Sequence, residues 1–182
     1  MGATELTYDE ALRQEDKRAV EAIDARTAAT LDRIGDFPRL RSLELSGNRN
    51  ITDFAFLGQL PELRKLYLAD IGLTAIPEPV AELAQLETLF IGKNAIADFS
   101  PLARLPRLVD LGLEEMGLRK IPDAVIALDG LKVLGLFGNS IASIAALKKL
   151  PQLEELEEPP SLPDLDQDLF QEEQHYLQKW VV

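Results

Sequence analysis

The sequence predicts an α/β solenoid, a curved and right-handed stack of short turns with one parallel β-sheet on its concave face. Three observations predict it. An LxxLxL pattern starts at Leu40, Leu63, Leu86, Leu108 and Leu131, with a fragment at Leu153, in steps of 22 or 23 residues. Within each block the LxL alternates in and out as a strand does, which puts Leu43 and Leu45, or Leu66 and Leu68, on one face. The composition, 46% hydrophobic and 27% charged, is that of an ordered domain. One such strand cannot bury its apolar side alone, but stacked copies about 4.8 Å apart form a sheet over a continuous leucine column.

The blocks read LRSLELSGN, LRKLYLADI, LETLFIGKN, LVDLGLEEM and LKVLGLFGN. Asn48, Asn94 and Asn139 end alternate blocks, while Ile71 and Met116 stand at that place in the others. The segments that follow also alternate. Blocks one, three and five continue as ITDFAFLGQLPE, IADFSPLARLPR and IASIAALKKLPQ, whereas two and four carry Ile76-Pro77 and Ile121-Pro122, so the unit is a pair repeating at 45 residues. This pattern resembles the leucine-rich repeat family over residues 40–156. The odd blocks resemble the 22-residue bacterial subtype found in internalins, and the even ones a 23-residue subtype with an Ile-Pro step. The resemblance implies a leucine-rich repeat solenoid with short helical or irregular segments on the convex side. It also implies that the asparagines cap backbone groups as a ladder. Because Ile71 and Met116 have no amide, the ladder is expected to break at every second step, with apolar packing in its place.

An open solenoid needs its end layers covered. Residues 7–34 carry Leu12, Val20, Ile23, Leu31 and Ile34 among charges, without proline, with Asp9 a plausible helix N-cap. The spacing predicts one or two amphipathic helices, and residues 1–36 are expected to form an N-terminal helical cap. Residues 37–156 hold five full repeats and one partial one. Residues 157–182 break at Pro159, Pro160 and Pro163, and then space Leu165, Leu169, Tyr176, Leu177 and Trp180 as a helix would, the expected acidic C-terminal cap. An alternative makes this tail a docking peptide anchored by Phe170, Tyr176 and Trp180.

The chain has 31 acidic and 19 basic residues, for a net charge of -12, which disfavours nucleic acid and anionic membrane surfaces. With no cysteine and one histidine, His175, it offers no disulfide framework, thiolate ligand or thiol nucleophile. Asp164, Asp166 and Asp168 are spaced like the start of a calcium loop, but Leu169 and His175 stand where glycine and glutamate are needed. No GxSxG, GxxxxGK[ST] or GxGxxG occurs. No catalytic residue, metal or cofactor is therefore expected. The first residues lack the apolar core of a signal peptide, so the expected location is the cytoplasm, with an exported effector lacking a cleavable signal as the alternative.

The outward positions of the predicted strands define a central row of Glu44, Tyr67, Phe90, Gly112, Gly135 and Glu157. Phe137 rises from the next row, beside Glu114 and Gly92, while Arg64, Lys65, Glu87 and Asp110 border the aromatics, with Lys93 and Lys132 nearby. A strand glycine packs nothing, so Gly92, Gly112 and Gly135 suggest that something approaches the backbone closely. The row is expected to form a shallow, aromatic-edged depression that a partner protein enters. The competing reading has the aromatics cover the sheet by stacking on one another. The predicted function is a monomeric bacterial protein-interaction module without chemistry of its own. The alternatives are an inhibitor or immunity protein that neutralises a basic enzyme, and a self-assembling structural subunit.

Overall fold

The computed structural model describes residues 5–157. They form one parallel sheet in which every strand pairs with the next in sequence: β1 (Leu6–Thr7), β2 (Ala22–Asp24), β3 (Ser42–Glu44), β4 (Lys65–Tyr67), β5 (Thr88–Phe90), β6 (Asp110–Gly112), β7 (Val133–Gly135) and β8 (Glu155–Glu157). Leu43, Leu66, Leu89, Leu111, Leu134 and Leu156 stand opposite one another along it. All six are buried. The strands are short because only the LxL core of each turn is extended, yet the ladder continues past them. The Leu45 N–H donates to the Tyr67 carbonyl at 2.9 Å, and the Gly47 N–H to that of Ala69 at 2.8 Å.

The returning segments alternate as their sequences do. Odd turns make 3₁₀ helices over Ala55–Gln59, Ser100–Arg104 and Ala145–Lys149. Three residues per turn aligns apolar side chains spaced by three, and Phe54, Leu57 and Leu60 lie buried together. Asp53, Asp98 and Ser143 stand two residues ahead of these helices, each accepting from the N–H of the helix's first residue at 2.8–3.1 Å. Even turns instead make short α-helices, α2 (Glu78–Ala81) and α3 (Asp123–Ile126), entered from Pro77 and Pro122. Proline's fixed φ and missing N–H cost nothing at a helix entry.

The N-terminal segment corrects the helical expectation. Residues 6–34 contain one short α-helix, α1 (Tyr8–Leu12), and a 3₁₀ turn over Lys17–Ala19, and otherwise add two strands to the sheet, with Leu6 opposite Ile23 and Ile23 opposite Leu43. Val20, Ile23 and Ala25, all buried, fill the places of Leu40, Leu43 and Leu45 in the next turn. Leu31, Ile34 and Phe37 likewise match Phe54, Leu57 and Leu60. Their spacing by three belongs to the repeat's own 3₁₀ segment rather than to an amphipathic helix. Steps of 17 and 20 residues, against 22 and 23 later, and an alanine in place of leucine hide the motif. The helical or docking reading of the tail, including His175, lies outside the described residues.

The asparagine ladder is also built differently from expectation, for each amide serves two turns. Asn94 donates to the carbonyls of Ile91, in its own turn, and of Leu68, in the turn before, at 2.9 and 2.8 Å. It accepts from the N–H groups of Ile71 and Leu73 at 3.3 and 2.9 Å. Asn139 repeats this with Leu136, Leu113, Met116 and Leu118, and Asn48 reaches back to the carbonyls of Ala25 and Ala28. Ile71 and Met116 therefore need no amide of their own. Their side chains pack on the core, as expected.

The five turns from β3 to β7 leave the sheet through a left-handed residue: Gly47, Asp70, Lys93, Glu115 and Gly138, with φ between 51° and 77°. A side chain here costs about 1–2 kcal/mol of backbone strain. A Cβ on Gly47 would meet nothing within 4 Å, so Gly47→Ala isolates that cost. It should lose about 1–2 kcal/mol in urea unfolding, whereas Gly58→Ala, equally open and without a positive φ, should be neutral or slightly stabilising. For Asn94→Leu we expect a loss of about 3 kcal/mol or more, since buried groups of two turns go unpaired at about 1–3 kcal/mol each. Hydrogen exchange locates the effect, because the Ile71 and Leu73 amides should lose protection while that of Leu45 keeps it.

Candidate functional site

The register places the central row as the LxL alternation predicts, with Glu44, Tyr67, Phe90, Gly112, Gly135 and Glu157 opposite one another, and extends it back through Asp24 to Thr7. A flanking row holds Ser42, Lys65, Thr88, Asp110, Val133 and Glu155. The Tyr67 and Phe90 rings stack at 5.2 Å and 24°. Phe137, at 48% exposure, is the exposed large hydrophobic side chain among the described residues.

The glycine strip differs from the expected depression. A Cβ on Gly112 would fall 1.8 Å from Cδ1 of Phe90, and one on Gly135 would fall 1.9 Å from Oε1 of Glu114. Glu114 also overlies Gly92, whose Cβ would stand 2.8 Å from its Oε2. The close approach that these glycines permit is made by the chain's own side chains. Phe90 lies across Gly112 and Glu114 across the neighbouring strands. The sequence contains this fact only as the adjacency of large and absent side chains along a row, which does not say whether the space is filled from within or from outside.

Most border charges are satisfied across neighbouring turns. Arg64 pairs with Glu87 at 2.8 Å, Lys93 with Glu115 at 3.1 Å, Lys132 with Glu154 at 2.7 Å, and Arg41 with Glu21 at 3.3 Å. These pairs are exposed and contribute little stability individually. Nearer the centre, Glu44 accepts the Ser46 N–H at 2.6 Å, and Asp24 pairs with Arg26. Asp110 is different: its Oδ1 is buried and accepts no hydrogen bond. Burial pushes its carboxyl above the usual range, against the opposing pull of a Thr88 hydrogen bond and the Lys65 charge. The Tyr67 hydroxyl is raised too, first by burial and then by the charges of Asp110, Glu44 and Glu5. No sequence signal marked Asp110 as the orphaned acid, since that depends on what packs over the flanking row.

The fold has counterparts among solved structures. An internalin of Listeria monocytogenes is 32% identical, with a TM-score of 0.61, over 77% of this chain and 41% of its own. The chain is a leucine-rich repeat protein. A leucine-rich repeat protein of Leptospira interrogans shares the fold at 21% identity and a TM-score of 0.64, over 90% of this chain and 43% of its own. A chain of the Drosophila Toll–Spätzle complex shares it at 16% identity and 0.62, over 75% of this chain and 20% of its own. This repeat protein therefore spans less than half the length of each. It matches no protein-family model and no curated protein.

The buried Asp110 carboxyl gives a pH prediction. A carboxyl raised by folding binds more protons folded than unfolded, so it favours folding at low pH and costs stability as pH rises past its unfolded value. In this repeat protein Asp110→Asn should be more stable than the parent at pH 7, and the advantage should vanish below pH 3.8, the ordinary value for aspartate. Urea titrations of both proteins at several pH values check it, and a constant difference would refute the burial argument.

Proposed function

We propose that the chain is a protein-interaction module that binds its partner across the open face of the sheet and carries out no chemistry itself. The observation that carries this reading is Phe137, left 48% exposed in the turn that follows β7, beside the sheet whose open face bears the stacked Tyr67 and Phe90. A large apolar side chain left exposed is costly in water and is the kind of anchor that dominates protein interfaces. The solved relatives support a protein partner in general terms, one of them being part of a two-protein complex. The stacking of Phe90 on Gly112 fits the same reading, since it presents the aromatic pair already ordered and lowers the entropy cost of binding.

The test is affinity capture by the wild-type chain and by a Tyr67→Ala, Phe90→Ala, Phe137→Ala variant of matching circular dichroism. A partner captured by the wild type should be lost or weakened at least tenfold with the variant. Equal capture by both would move the interface off this face.

A further inference from the structure

Charge on the open face is not balanced. Among the described residues of its rows, acids stand at Asp24, Glu44, Asp110, Glu114, Glu155 and Glu157, while the bases are Arg26 and Lys65. Arg26 is committed to Asp24, through two hydrogen bonds from its Nε and one from Nη2. The border bases Arg64, Lys93 and Lys132 are held by Glu87, Glu115 and Glu154. Lys65 is thus the one base left beside the aromatic pair, against Glu44 one strand before it in sequence and Asp110 two strands after it. The field converges on the rings, for Glu44 and Asp110 both act on the Tyr67 hydroxyl.

Resting on the open face as the binding surface, we propose that its occupant is a cationic segment of a partner protein, which seats an arginine or lysine side chain against the Tyr67–Phe90 pair with Glu44 and Asp110 as counter-charges. Aromatic rings attract cations through their faces, and the guanidinium group also stacks on them. Asp110 contributes through its charge alone, since its unpaired Oδ1 is sealed from the open face. Phe137, 48% exposed two residues beyond Gly135, gives the same segment an apolar contact further along the sheet. An anionic occupant would instead find Lys65 as its one base beside the rings, against the carboxylates of Glu44 and Asp110.

The probe is a hexa-arginine peptide, with hexa-citrulline as its uncharged counterpart, titrated by calorimetry and by NMR of the Tyr67 and Phe90 ring resonances. The full chain has further acids in its C-terminal residues, so charge alone must be separated from the site. Glu44→Gln with Asp110→Asn removes two charges at the face while keeping shape and one acceptor oxygen on each side chain; Asp164→Asn with Asp166→Asn removes two elsewhere. The face variant should weaken hexa-arginine at least tenfold and abolish the ring shifts, the tail variant should change affinity less than twofold, and hexa-citrulline should not bind. Equal losses in both variants, or rings that do not respond, overturn the inference. A captured partner that depends on Tyr67, Phe90 and Phe137, alongside rings blind to hexa-arginine, overturns the cationic occupant alone and leaves the binding face standing.

Discussion

Everything in this protein depends on the register of its parallel ladder. A turn that contributes three extended residues has no core of its own, and its inward leucine is buried only because the turns on either side hold theirs level with it. Slipping one strand by a single residue would turn Leu66 outward and Tyr67 inward, replacing a packed leucine with a phenol and exposing the apolar column. The leucines in register from Leu43 to Leu134 are wholly buried, and each contributes about 1.5–3 kcal/mol. Any device that holds register is therefore worth more than its own hydrogen bonds.

The asparagines are such devices, and their spacing explains the paired repeat. An amide has two donors and two acceptor sites, enough to satisfy carbonyls in two consecutive turns and N–H groups in the earlier one. Asn94 and Asn139 do this, so one asparagine per pair suffices and the intervening position is released for Ile71 or Met116. The left-handed exits allow the chain to leave the ladder at the same height in each turn. At three of the five the sequence accepts strain on Asp70, Lys93 and Glu115 rather than using glycine. All three side chains form ion pairs across adjacent turns, Lys93 with Glu115 and Asp70 with Arg49, exposed pairs that offset little of that cost.

With one face of the sheet committed to the core, the other is free to carry recognition. Its side chains are set by backbone register rather than by flexible loops. Large residues on β4 and β5 adjoin absent ones on β6 and β7, and Phe90 uses the gap to lie flat. The result is an ordered aromatic pair in a field of carboxylates, with Phe137 standing clear of it. A surface of this kind discriminates by charge and shape together, since each side chain's position is inherited from the leucine behind it.

By itself the sequence determined the repeat, the parallel sheet from β3 to β8 and the facing of every residue in it, because a period of two within a period of 22 or 23 fixes both strand and stack. It also showed the central row, residue by residue. It did not reveal the first two strands, where Val20, Ile23 and Ala25 keep the spacing but lose the leucines, nor the two-turn reach of the asparagines, which depends on the separation of backbone groups over 20 residues apart. Tertiary structure alone decided that Phe90 and Glu114 fill the glycine strip and that Oδ1 of Asp110 is sealed without a partner. Those outcomes depend on the rotamers and heights of side chains on neighbouring turns, and a linear pattern carries facing but not height.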